Sequence, residues 1–141
     1  MKKYIILFLV SILTGCSNIK FKFDHKPCNI NLQSDPTLIK LNAIGNDKNI
    51  IFFLNGFERD TIEIINENEI LFKKAIKTGS NTGLAKYQVV TNKSNVIIRI
   101  LSIKSEILLK KQKLKEFKCV YISKKDNQSM VEYSNTFKSF L

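Results

Sequence analysis

The stretch Asn46-Asp47-Lys48-Asn49-Ile50-Ile51-Phe52-Phe53-Leu54-Asn55-Gly56 is the most informative part of this chain. Its five central residues are apolar without interruption, and turn-forming residues stand on both sides. A strand that is apolar on both faces belongs to a sheet that is covered on both faces. The stretch therefore predicts a central strand of a layered β-structure.

Further short apolar runs follow, separated by Asn, Lys and Gly. Such runs, bounded by polar turn residues, predict β-hairpins. We expect three of them, which pair residues 61–65 with 70–72, 87–91 with 96–100, and 117–122 with 130–133. The sequence therefore predicts an all-β, mostly antiparallel fold, either a small β-sandwich or a barrel.

A helix competes with the first of these hairpins. Asp60 could cap it, Glu63 would complete a capping-box pattern, and Gly79 would follow its C-terminal lysines. The β-branched residues of 61–65 and the asparagines at 66 and 68 favour strands instead. We expect strands here.

Residues 105–116 differ from the rest because Leu, Lys, Gln and Glu predominate and helix propensity is high. They predict one short helix, which could lie on an anionic membrane surface. The alternative is a lysine-rich connection or strand with a solvated face. The apolar positions in and next to this segment do not form one clean stripe, which argues against contact with a membrane.

The N-terminus has the three regions of a secretory signal in order. Lys2 and Lys3 precede the apolar run 4–13, and Thr14-Gly15 precede Cys16. At about 1.5 Å per residue, a ten-residue helix spans half of the ~30 Å hydrocarbon core, which is too short for a stable span. Residues 1–15 are therefore predicted to be a signal peptide.

Leu13-Thr14-Gly15-Cys16 resembles the lipobox of bacterial lipoproteins. The resemblance implies cleavage before Cys16 and acylation of its sulfur with palmitate-type chains. The partner of the protein is then the membrane, to which this lipid attaches it. Ser17 stands where Asp would signal retention at the inner membrane, so the resemblance implies the outer membrane of the cell envelope.

The mature chain 16–141 has the length of one domain. Residues 19–23 alternate apolar and cationic side chains, so residues 16–27 are either a short tether or a lysine-protected edge strand. Without Lys2 and Lys3 the net charge falls from +11 to +9. Nearly all of the cations are lysine, whereas nucleic-acid readers favour arginine, so we expect no nucleic-acid partner.

Two cysteines remain once Cys16 is acylated. Cys28 and Cys119 form an even pair in an export compartment, where disulfides persist. A bridge would close a long loop and stabilise the fold by about 4 to 5 kcal/mol in the chain-entropy model. The alternative is two separate thiols, because alternation places Cys119 with Phe117 and Tyr121 on a core face.

No catalytic or metal constellation is evident in the sequence, and no cofactor is implied. His25 is the only histidine, which argues against a His-based triad or metal site. Glu58, Asp60 and Glu63 are interpreted as solvated carboxylates, and 79–83 as a plain loop and not a phosphate nest. A sugar site would need exposed aromatic faces, for which the candidates are Tyr87, Tyr121, Tyr133 and Phe57.

Three functions compete. The first is a non-enzymatic, lipid-anchored domain that binds a partner, such as another envelope protein, or a ligand. The second is an immunity or inhibitor lipoprotein that neutralises a toxin or lytic enzyme. The third is an envelope hydrolase, which a cleft of perturbed acidic or lysine side chains would favour.

Overall fold

The computed structural model describes residues 18–138, which form two packed β-sheets and two short helices. The predicted all-β, mostly antiparallel sandwich is confirmed, and the sheets do not close into a barrel. The elements in chain order are β1 (Asn18–Phe23), α1 (Pro36–Lys40), β2 (Lys48–Phe53), β3 (Glu58–Asn66), β4 (Glu69–Lys77), β5 (Lys86–Thr91), β6 (Val96–Ile100), a 3-10 turn (Leu101–Ile103), β7 (Ser105–Leu109), α2 (Lys111–Glu116), β8 (Cys119–Lys125) and β9 (Gln128–Ser134).

The uninterrupted apolar run forms β2, which lies inside the larger sheet. The strand order there is β1-β9-β8-β2-β5, and the smaller sheet has the order β4-β3-β6-β7. β2 pairs in parallel with β8 and antiparallel with β5. Its side chains are buried on both faces, as the apolar run predicts.

Two apolar clusters account for this burial. Ile51 and Phe53 point between the sheets and join the main core. Ile50 and Phe52 point to the other face, where the segment around α1 covers them. α1 begins at a cap in which Asp35 accepts hydrogen bonds from the backbone of the first turn, ahead of Pro36.

Two of the three predicted hairpins form. β3 and β4 pair around Glu67 and Asn68, both at positive φ, as a type I′ turn requires. The competing helix is therefore wrong, because the β-branched residues of β3 pair with strands on both sides. β8 and β9 also pair across a two-residue turn, 126–127, in which Asp126 has positive φ.

The hairpin between residues 87–91 and 96–100 is wrong, although both strands exist. β5 joins the larger sheet beside β2, while β6 joins the smaller sheet between β3 and β7. Residues 92–95 cross from one layer to the other. Asn92 donates to the backbone of Asp47 and Asn46, which holds the end of β5 against the start of β2.

The predicted helix over 105–116 is shorter than expected. Residues 105–109 form the edge strand β7, with Ser105, Ile107 and Leu109 buried and the residues between them exposed. Only Lys111–Glu116 is helical. Residues 105–109 are a strand because every second side chain is buried while the strand pairs with β6. This burial outweighs the helix propensity of these residues.

Residues 18–23 are an edge strand and not a tether. β1 pairs in parallel with β9 over its whole length, and β9 is its only strand partner among the described residues. Within residues 18–138, no helix has the length and apolar character needed to cross a membrane.

Candidate functional site

The two predicted disulfide residues lie in the same region, because Cys28 lines a cavity together with Lys118 and interacts electrostatically with the Cys119 thiol. Cys16 lies outside the described residues. Cys28 is exposed in the segment after β1, and Cys119 is buried in β8. Both carry free thiols in the structure, and the predicted bridge between them stays a prediction. Burial raises the pKa of Cys119 to about 12, so its sulfur is a neutral thiol.

Two of the three clustered carboxylates are buried, so their interpretation as solvated groups is wrong. Asp60 accepts hydrogen bonds from the Ser102 hydroxyl and the Glu58 backbone, and lies 3.2 Å from Lys124 Nζ. A β-bulge at Arg59, where φ is 65°, turns the Asp60 side chain inward. Burial alone would raise its pKa, but these partners hold the pKa below its ordinary value.

Glu63 belongs to a separate cluster. Its carboxylate lies 2.8 Å from Arg99 and 3.1 Å from Lys73, on the strands either side of β3. The hydrogen bonds from these two cations lower the pKa of Glu63. These three side chains form a cross-strand ion network in which the Glu63 carboxylate is ionised and is paired with both cations.

In the loop 79–83, the two glycine amides are hydrogen-bonded within the loop. The Gly79 amide donates to Leu84 and the Gly83 amide donates back to Gly79. Both amides are used to close the loop between β4 and β5, in agreement with the plain-loop interpretation. Within residues 18–138, no group of three His, Cys, Asp or Glu side chains is placed to hold a metal ion.

A small cavity of about 230 Å³ surrounds Lys118 and Asn49. The Lys118 ammonium donates to three backbone carbonyls, those of Ala43, Gly45 and Lys48, at 2.6 to 2.8 Å. Burial lowers the pKa of Lys118. All three N–H donors of the ammonium are occupied, so this lysine fastens the loop before β2 and does not present a charge to a ligand.

The most distinctive open surface lies between the edge strands β1 and β7. A groove of about 310 Å³ opens there, which we name the β1–β7 groove; it is lined by Phe21, Phe23, Leu108, Lys110, Lys113 and Tyr133. Phe21, Phe23 and Leu108 remain 47%, 37% and 43% exposed. Large apolar side chains clustered in a concavity are typical of a binding surface.

The groove has an ordered aromatic floor. Phe23 stacks on Tyr133 with ring centroids 5.3 Å apart and planes 9° apart. Phe21 continues the stack at 6.5 Å. Lys113 Nζ lies 5.1 Å from the centroid of the Phe23 ring, a cation–π distance. The rings therefore contact each other and Lys113 in the structure without a partner.

A partial signal for this groove is present in the sequence. The alternation of Ile19, Phe21 and Phe23 marks an apolar face on an edge strand, but the strand on the other side of the groove cannot be known from local pattern. Of the aromatic candidates for a sugar site, Phe57, Tyr121 and Tyr133 are buried, and Tyr87 is 39% exposed on β5, an edge strand of the larger sheet away from the groove.

Comparisons with protein-family models, with curated protein sequences and with solved structures give no match to this chain.

Proposed function

We propose that this chain is a lipid-anchored protein of the cell envelope with a non-catalytic binding role. The observation that carries the proposal is the order Lys2-Lys3, apolar run, Leu13-Thr14-Gly15-Cys16, followed two residues later by the first strand of the domain. A signal of this form ends before the first strand begins, so removal of residues 1–15 leaves every described strand in place.

The anchor places the domain on a membrane surface. A diacylated cysteine gives stable attachment, since one acyl chain binds only marginally and two hold at about 0.8 kcal/mol per buried CH₂. Ser17, in place of Asp, supports the outer membrane over the inner one.

The β1–β7 groove is the proposed binding surface, and its partner is another protein of the envelope. Among the described residues, β1 and β7 each have one strand neighbour, so each offers a free row of backbone donors and acceptors beside the groove. An extended segment can add to such an edge while its side chains enter the aromatic concavity. Lys110 at the rim favours an acidic partner segment, whereas Lys113 is already paired with Glu116 at 3.2 Å.

Labelling of cells with a palmitate analogue tests the anchor. The wild-type chain should incorporate the label and Cys16→Ser should not. Label retained in Cys16→Ser, or a wild-type chain without label, would overturn the lipid-anchor proposal.

A crosslinking pull-down from the native envelope tests the groove. Phe21→Ala/Phe23→Ala removes two exposed rings, and Ile70→Ala/Leu71→Ala removes two exposed apolar side chains from β4 as a matched control. The partner should be lost from the first variant alone, with both variants folded by circular dichroism. Equal recovery from both variants would contradict the groove as the binding surface, and an enriched toxin or lytic enzyme would support the inhibitor alternative.

A further inference from the structure

The direction of β1 fixes which end of the sandwich meets the lipid anchor. Asn18 pairs with Gln128, and Gln128 pairs with Lys125 across the β8–β9 turn. Cys16 is two residues before Asn18. At 3.8 Å between consecutive Cα atoms, its Cα lies within about 8 Å of Asn18. The lipid therefore leaves the domain beside this turn.

Other turns lie at the same end. Lys124 donates its backbone N–H to Asn55, and its Nζ reaches Asp60. Ser102, in the 3-10 turn of the other sheet, donates to the same carboxylate. The Asp60 contacts therefore bring turns of both sheets together. We name this surface, made of residues 54–59, 77–78, 101–104 and 124–128, the anchor end.

The anchor end is cationic. Its exposed cations outnumber its exposed carboxylates by four to two; the cations are Arg59, Lys77, Lys104 and Lys125, and the carboxylates are Glu58 and Asp126. Lys124 and Asp60 are paired with each other. Leu101 is 43% exposed in the 3-10 turn of the same end. Lysine and arginine around an exposed leucine suit an anionic lipid surface, where cations meet headgroups and the apolar side chain enters the interface.

We propose that the anchor end rests on anionic lipid headgroups, with Leu101 in the interface, so that the domain has one fixed orientation on the membrane. This inference depends on the proposed lipid anchor, which holds the cationic surface at the bilayer. β1 then runs away from the membrane at about 3.3 Å per residue. Phe23 lies at the far end of that strand, so the β1–β7 groove opens to a partner above the lipid surface.

The absence of tryptophan from the chain makes the orientation directly measurable. Leu101→Trp places a single fluorescent reporter at the anchor end, and Ile70→Trp places one beside the β3–β4 turn at the opposite end. The lipidated protein, with the lipid on Cys16 verified by mass spectrometry, is reconstituted into phosphatidylglycerol–phosphatidylcholine vesicles with brominated acyl chains. The fluorescence of Leu101→Trp should shift to the blue and be quenched, and that of Ile70→Trp should do neither.

Charge variants separate the surface contact from the anchor. Lys104→Glu/Lys125→Glu, in the Leu101→Trp background, should abolish most of the quenching. Lys93→Glu/Lys111→Glu makes the same change in charge at the opposite end and should leave the quenching intact. Raising the salt concentration to about 1 M should reduce the quenching, because it shortens the Debye length from ~8 Å at 0.15 M to ~3 Å and so screens the attraction to the headgroups.

The outcomes distinguish the two proposals. Equal quenching of the Leu101→Trp and Ile70→Trp variants, or no quenching of either in lipidated protein, overturns the fixed orientation and leaves the anchor intact. A chain without lipid on Cys16 overturns the anchor, and the orientation with it. Quenching in Leu101→Trp that the anchor-end charge variant does not reduce overturns the role of the headgroups.

Discussion

Lys124 Nζ lies 3.2 Å from Asp60 Oδ1, and this ion pair joins the two sheets at one end of the sandwich. The Lys124 and Asp60 side chains are 14% and 6% exposed, so the pair is shielded from solvent. Ser102 completes the contact by donating its hydroxyl to the same carboxylate. A shielded charge that loses its partner is destabilising, which makes this pair a sensitive point of the fold.

Asp60→Asn should lower the free energy of unfolding by about 2 kcal/mol, because Lys124 loses its counter-charge while remaining partly buried. Glu58→Gln, which changes a neighbouring exposed carboxylate, is the control and should cost less than about 0.5 kcal/mol. Urea unfolding followed by circular dichroism measures both. An equal loss in the two variants would show that the pair contributes nothing specific.

The same pair predicts a pH dependence. The pKa of Asp60 in the folded protein lies below its ordinary value of 3.8. Its contribution is therefore present above the unfolded pKa and is lost as the pH falls through the folded pKa. The stability gap between wild type and Asp60→Asn should be constant near pH 7 and narrow below about pH 4. A gap that stays unchanged in strong acid would contradict this.

Gly56→Ala should destabilise the domain by several kcal/mol, on the order of 3. A Cβ at Gly56 would lie 1.6 Å from the Lys124 carbonyl oxygen, and φ there is 94°. Gly45→Ala is the matched comparison, because φ is 106° but the nearest atom is the Asp47 carboxylate at 3.0 Å. Thermal unfolding should show the larger loss at Gly56. Similar losses at both would mean that backbone strain alone sets the cost.

The two thiols should differ sharply in reactivity in the reduced protein. Cys28 is exposed, whereas Cys119 is buried with its pKa raised to about 12. A thiol reagent such as DTNB should therefore modify one thiol quickly and the second only after denaturation. Cys28→Ser should remove the fast phase. Exported protein with the predicted bridge would show no thiols even after denaturation, and two titratable thiols there would refute the bridge.

The hairpins that local pattern predicted correctly are those whose two strands are consecutive in the chain and pair with each other. The Glu67–Asn68 turn and the 126–127 turn each join strands that pair directly, so the apolar runs around them are enough. Helix α1 was not predicted, although Asp35 and Pro36 mark an N-cap and the first helical position.

The elements that pattern missed depend on distant contacts. The Asp60 side chain turns inward because of a β-bulge and because Lys124, on a strand of the other sheet, pairs with it. The sequence around Asp60 shows neither of these features. The β1–β7 groove joins strands that lie far apart along the chain. Residues 92–95 resemble a hairpin turn in the sequence. The prediction failed because local pattern cannot show which sheet each flanking strand joins.

The Asn66 side chain helps to direct β5 to the larger sheet and away from β6. Its removal should therefore destabilise residues 92–95, which cross between the two sheets. Its side chain, at the end of β3, accepts from the Thr91 amide at 2.9 Å and donates to the Thr91 carbonyl at 3.2 Å. These bonds replace the sheet pairing that β5 would have gained from β6. Asn66→Ala leaves the partly buried amide and carbonyl of Thr91 without this partner, which costs about 2 kcal/mol.

Asn81→Ala, in the exposed loop between β4 and β5, is the control for Asn66→Ala and should stay within about 0.5 kcal/mol of wild type. Amide hydrogen exchange gives the local readout. The Thr91 amide should lose protection in Asn66→Ala more than the amides of β8 in the same sheet, because its hydrogen-bond acceptor is gone. A uniform loss of protection across the sheet would mean that Asn66 stabilises the whole domain and has no particular role in directing β5 away from β6.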